Sequence, residues 1–156
     1  MVKFYKKMDG KIIMKKILII NGPNLNFLGI REKGIYGNDD YNSVCKYIKE
    51  KFENEDVKIE ILQSNSEGKI IDFLQSAYFN KVDGIVINPG AYTHYSYAIL
   101  DAIKSVAIPT VEVHLSNIHE REEFRKISVT APACIDQIYG KGKEGYVEAV
   151  EILLKR

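Results

Sequence analysis

KILIINGPNLNFLGIREKGIYG, residues Lys16–Gly37, is the stretch that decides how this chain is read. An unbroken apolar run, Ile17 to Ile20, stops at Asn21-Gly22-Pro23-Asn24. Such a run is the pattern of a strand buried on both faces, as in a parallel sheet. In open α/β sheets, ligands bind where such strands end. The loop that follows carries Arg31 and, five residues on, Tyr36, among Gly29, Gly34 and Gly37. A guanidinium held near a phenol stabilises the phenolate, so this pair can make a base.

Working outward, further strands are expected at about Val57–Gln63, Gly84–Asn88, Thr110–His114 and Ile135–Tyr139, with the first at Lys16–Asn21. Helical periodicity falls between them. Tyr41, Val44, Cys45, Ile48 and Phe52 share a face after a cap at Asp39 or Asp40. Ile70, Ile71, Leu74, Ala77 and Tyr78 do so after Ser66. Tyr97 to Ile103 and Tyr146 to Leu154 supply two more helices, and a short helical piece is expected within Ile118–Phe124. Regular βα alternation predicts an α/β, flavodoxin-like, doubly wound five-stranded parallel sheet of order 2-1-3-4-5.

The chain has 156 residues, about one domain, with 46% hydrophobic and 28% charged residues, the composition of a globular protein. A net charge of +1 from 22 basic and 21 acidic residues gives no field to attract nucleic acid, and no apolar stretch is long enough to span a bilayer. Residues 1–14, MVKFYKKMDGKIIM, lack the apolar core of a signal peptide. They read as an N-terminal extension, expected to be disordered, ahead of a single catalytic domain over 15–156. The two cysteines, Cys45 and Cys134, have no ligand-like neighbours; Cys45 is expected in the core, and neither suggests a disulfide framework.

The expected strand ends carry Asn21 and Asn24, Gln63-Ser64-Asn65, Asn88, and His114 with Ser116. This set of amides and imidazole points to a small polyol-like ligand held by hydrogen bonds. Glu112, His114 and His119 raise the alternative of a metal site, although Glu112 and His114 are alternate residues of one strand and no closed ligand motif appears. His119 is more simply structural. Gly140-Lys141-Gly142-Lys143-Glu144-Gly145 matches GxGxxG, but a dinucleotide site needs a further strand with an acid about 20 residues on. The glycines are expected instead to form a tight turn and to let the last helix pack closely.

With INPGAYTH (residues 87–94) and VEVHLSNIHEREEFR (residues 111–125), the opening stretch resembles the type II 3-dehydroquinate dehydratases over nearly all of residues 15–156. The resemblance implies anti elimination of water from 3-dehydroquinate to 3-dehydroshikimate, in the shikimate route to aromatic amino acids. It implies an enolate-like intermediate, no cofactor and no metal or Schiff base. By the same resemblance Tyr36 is the base, Arg31 its activator, His114 the acid, Glu112 the carboxylate orienting His114, and Asn24 the holder of a water on the enolate oxygen. Asn88, His94, Leu115, Ser116 and Arg125 match substrate-binding positions, Glu32 is a loop partner, and Asp101 reaches a neighbouring subunit's site. A cytoplasmic homododecamer, a tetramer of trimers, is implied, with no nucleic-acid or membrane partner. Tyr95 and Leu100 stand where many members carry Thr and Arg. Residues 127–131 are a loose variant of the family's segment, and neither departure is expected to touch a chemical role.

Two other classes fit parts of the pattern. A non-catalytic flavodoxin-like module for a small ligand would need no Tyr–Arg base. A metal-dependent lyase or hydrolase would use the histidines.

Overall fold

A computed structural model describes residues 5–30 and 39–156. Arg31, Glu32, Gly34, Tyr36 and Gly37 therefore lie outside the described residues. The described residues form six strands, β1 (Tyr5–Met8), β2 (Lys11–Asn21), β3 (Val57–Gln63), β4 (Gly84–Asn88), β5 (Thr110–His114) and β6 (Asp136–Tyr139). Four α-helices alternate with them: α1 (Tyr41–Lys51), α2 (Glu67–Phe79), α3 (Tyr97–Val106) and α4 (Glu144–Leu154).

The five parallel strands run in the order β3-β2-β4-β5-β6, which is 2-1-3-4-5 when they are counted along the chain. The reason is written in β2. Alternate residues point to opposite faces. Ile17 and Ile19 meet α1 and α4, while Leu18 and Ile20 meet α2 and α3. Ile19, Ile20, Ile85, Val86 and Ile87 have no exposed surface, and each contributes roughly 1.5–3 kcal/mol by burial. Asp40 and Ser66 cap α1 and α2 by accepting from Ser43 and Lys69 amides. The short helical piece after β5 is two 3₁₀ turns, Ile118–Glu120 and Glu123–Arg125.

The extension differs from expectation. Residues 5–14 are a hairpin in which β1 pairs antiparallel with the start of β2, Tyr5 opposite Met14. Asp9 and Gly10 turn it with φ of 50° and 76°, the two positive values a tight two-residue hairpin turn requires. Cys45 is half-buried rather than in the core, and Cys134 is half-buried too.

Candidate active site

The site begins where β2 and β4 end. The Gly22 amide donates to the Asn88 carbonyl at 2.8 Å, and a Cβ on Gly22 would lie 2.5 Å from the Pro89 oxygen. Only glycine allows that approach. Asn24 follows in the left-handed region, φ 67°, which asparagine tolerates, and its amide donates to Asn65 Oδ1 at 3.0 Å. Gln63 Nε2 closes the same corner by donating to the Gly22 carbonyl at 3.2 Å.

Across β4 a neutral network is buried. Tyr146 of α4 donates its hydroxyl to Asn21 Oδ1 at 2.6 Å and accepts from Asn88 Nδ2 at 3.0 Å. Asn88 Oδ1 accepts from the Gly90 amide at 3.2 Å. Burial pushes the Tyr146 phenol well above its ordinary pKa, so it stays protonated. The Asn88 side chain is thus oriented by both its ends, and its remaining capacity faces the pocket it lines.

β5 supplies the charged half. The pleat puts Glu112 and His114 on one face, and His114 Nε2 lies 2.9 Å from Glu112 Oε2. Glu112 is wholly buried and His114 is 5% exposed. Glu112 also accepts from Ser128 Oγ at 2.8 Å, from Gln137 Nε2 at 2.7 Å and from the Thr130 hydroxyl. Burial alone would raise the Glu112 pKa; the bond from His114, then its charge, then the Thr130 and Gln137 donors outweigh it and leave the carboxyl lowered. Because Nε2 is committed to Glu112, a proton given to a pocket ligand must leave His114 from Nδ1.

His94 ends the 3₁₀ turn Gly90–His94, and its Nδ1 donates to the Ile127 carbonyl at 2.8 Å. Burial, with the charges of His114, Arg125 and Arg121, lowers its pKa against the opposing Ile127 bond. A neutral ring with Nδ1 donating presents Nε2 as an acceptor, suited to a ligand hydroxyl. The Leu115 and Ser116 carbonyls accept from the amides of Gly142 and Gly140, both at 3.1 Å, so the glycine turn fixes this backbone. Gly145 then packs α4 on the sheet, where a Cβ would meet Ile138 at 3.3 Å. Arg121 and Arg125 both approach Glu122, at 3.8 and 2.9 Å.

One pocket gathers Asn24, Asn88, His94, His114, Leu115, Ser116 and Arg125, with Glu112 immediately behind His114. Asp101 is exposed on α3 and does not line it. Arg31 and Tyr36 are outside the described residues. His119 lies edge-on to Tyr139 with ring centres 4.6 Å apart and does not line the pocket. With the Glu112 oxygens taken by protein donors, Glu112, His114 and His119 are not assembled as a ligand set. Among the described residues, no group of three or more acids, cysteines or histidines is placed to hold a metal.

Sequence reading missed several participants. Arg121 lines the pocket and was signalled by its place four residues before Arg125. Ser128, Thr130 and Gln137 gave no local signal, and residues 127–131, expected to touch no chemical role, are bonded to two of the candidate site residues, His94 through Ile127 and Glu112 through Ser128 and Thr130. Of the strand-end amides, Asn21, Gln63 and Asn65 hold the loops together, whereas Asn24 and Asn88 line the pocket.

Residues 15–154 match the family model described as Dehydroquinase class II. A 3-dehydroquinate dehydratase from Clostridium acetobutylicum is 67% identical over 138 residues, covering 88% of this chain and 95% of the relative. Another from Fusobacterium nucleatum is 60% identical over 142 residues, covering 90% and 97%. The crystal structure of the type II dehydroquinase from Butyrivibrio crossotus superposes with a TM-score of 0.89 at 60% identity, covering 90% of this chain and 97% of that one. That from Propionibacterium acnes gives 0.87 at 37% identity, covering 92% and 99%. The fold is thus shared with those enzymes, and the chain belongs to the class II dehydroquinase family.

Proposed function

We infer that this chain is a 3-dehydroquinate dehydratase, a hydro-lyase of the shikimate pathway, built as one catalytic domain over residues 15–156. The observation that carries the reading is the buried Glu112–His114 pair, at 2.9 Å, on the wall of a pocket rimmed by Arg121 and Arg125. A pair of this kind stabilises an imidazolium. The substrate's carboxylate and hydroxyls ask for what the pocket offers: guanidinium, a neutral His94 and the Asn88 amide.

In the reaction, Tyr36 as phenolate takes the C2 proton, and the electron pair moves onto the C3 carbonyl oxygen as an enolate. Arg31 keeps the phenolate accessible, since a tyrosine of pKa about 10 is otherwise neutral at pH 7. Asn24 holds a water against the enolate oxygen, where donors act more strongly on the transition state than on the ground state. The enolate then re-forms the carbonyl, C1=C2 appears, and the C1 hydroxyl leaves as water with the proton from His114. Without that proton hydroxide would have to depart. No cofactor or metal enters any step. The flavodoxin-like binding-module reading has no use for a buried carboxylate aimed at His114.

A cytoplasmic homododecamer with Asp101 completing a neighbour's site belongs to the same reading. It is supported by apolar side chains left in the open around α3, with Tyr95 and Tyr97 58% and 65% exposed. No helix among the described residues is long and apolar enough to cross a membrane. The direct test is ultraviolet absorbance of the conjugated enone formed from 3-dehydroquinate by the purified chain, before and after exhaustive chelation. Absorbance that grows in both supports the reading, and none in either removes it. Light scattering with size exclusion tests assembly: a fully active 17.8 kDa monomer would contradict it.

A further inference from the structure

Both histidines of the pocket are tied to the same short segment, which belongs to no strand or α-helix. Ile127 gives its carbonyl to His94 Nδ1 at 2.8 Å. One residue on, Ser128 Oγ donates to Glu112 Oε2 at 2.8 Å, and the Thr130 hydroxyl donates to Oε1. Between them the Val129 amide donates to the Thr93 carbonyl at 2.8 Å, fixing the segment to the turn that bears His94. We propose that residues 127–130 are a strap that positions both histidines together, His94 through a carbonyl and His114 through hydroxyls that hold Glu112.

The chemistry requires hydroxyls at 128 and 130. A wholly buried carboxylate costs several kcal/mol unless its lone pairs meet donors. Ser128 Oγ already accepts from the Ala131 amide at 3.0 Å, so its own hydrogen is directed at Glu112. Thr130 is wholly buried and serves the other oxygen. Ile127 needs only its carbonyl, and its side chain is 68% exposed. The Ile127 side chain takes no part in the bond to His94. The groups facing the pair are His94, Arg121 and Arg125 around the pocket and Cys134 before β6. Burial and then the Glu112 charge push the Cys134 thiol upward, so it stays protonated. Ser128 and Thr130 are positioning residues, since they act through Glu112 and His114.

The kinetic arm of the test rests on the dehydratase reading. Thr130→Val keeps the shape and removes one donor from Glu112. It should lower kcat about tenfold or more by loosening His114, with KM little changed. Fewer donors make the Glu112 carboxylate more basic, so its inflection in a carboxyl NMR titration should move to higher pH. Thr130→Ser should restore both, and Ser128→Ala should repeat the defect. A loss confined to thermal stability, with wild-type kcat and an unmoved Glu112 inflection in both Thr130→Val and Ser128→Ala, overturns the strap. If neither variant folds, Gln137→Leu removes a third donor of Glu112 from β6 and carries the same expectations for the pair. Absent turnover in the wild-type chain would be the failure of the dehydratase reading alone. The carboxyl NMR titration then decides the strap without substrate: the Glu112 inflection moves upward in the donor-deleted variants, and an unmoved inflection overturns the proposal.

Discussion

The β4–α4 side of the pocket and the β5–β6 side are equally buried and chemically opposite. On the first, Asn21, Tyr146 and Asn88 pass neutral hydrogen bonds from one to the next, at 2.6 and 3.0 Å. On the second, a carboxylate with no exposed surface is bound by His114, Ser128, Thr130 and Gln137. Neutral groups suffice to hold a ligand in place. A proton donor needs a charge beside it, and a buried charge needs several donors, so only the β5–β6 side carries that arrangement. Under the proposed function, the difference separates holding from proton transfer within one pocket.

The largest effect should come from neither side but from the loop. Tyr36→Phe removes only the titrating oxygen, so kcat should fall by about 10²-fold or more, the usual scale of acid–base catalysis, while substrate still binds. Turnover above about a tenth of wild type would show that the base lies elsewhere. Arg31→Lys should also lower kcat and move the basic-form inflection upward, because an ammonium lacks the planar fork.

Next comes Glu112→Gln, which breaks the charged side. The amide places donors against donors, costing about 1–3 kcal/mol in denaturant titration, and leaves His114 without an anion. The pH dependence gives a sharper check. The Glu112 pKa is lowered in the folded state, so its contribution is present above the ordinary carboxylate range and is lost as pH falls through the lowered value. His94 has the opposite origin. Its pKa is lowered by burial, so the unfolded chain binds the proton more readily and stability declines as pH falls through the ordinary histidine range. Glu112→Gln should remove the first dependence and keep the second. A variant whose acid unfolding matches wild type would break the contrast between the two sides.

Tyr146→Phe should be the mildest. It removes the neutral link between Asn21 and Asn88, at about 1 kcal/mol of stability, and should raise KM more than it lowers kcat. A fall in kcat as deep as that of Glu112→Gln would mean the neutral side takes part in proton transfer.

How far the sequence reaches follows the same line between local and distant causes. Strands Val57–Gln63, Gly84–Asn88 and Thr110–His114 are legible to the residue, since the second is an apolar run and the other two alternate apolar with polar residues. Asp40 and Ser66 are legible as caps because a cap acts within three residues. The Asp9-Gly10 hairpin carried its signal too, an Asp-Gly pair between two short stretches of mixed apolar and basic residues, and reading the leader as an extension passed over it. The cradle of Glu112 was beyond reach. Ser128 and Gln137 meet it across 16 and 25 positions, and nothing local distinguishes a hydroxyl or amide that caps a turn from one that grips a buried acid. Asn21 and Asn65 show the converse error: polar residues at strand ends suggested a ligand, but they satisfy Tyr146 and the Asn24 amide.

The claim that joins the loop to the β5–β6 side is that proton and hydroxyl leave from opposite faces of the substrate. 3-Dehydroquinate carrying deuterium at one defined C2 position measures this directly. Incubation with the wild-type chain and mass analysis of the 3-dehydroshikimate should show that the hydrogen anti to the C1 hydroxyl is lost and the syn hydrogen retained. Loss of the syn hydrogen, or product without stereochemical preference, would contradict a base at Tyr36 working opposite an acid at His114.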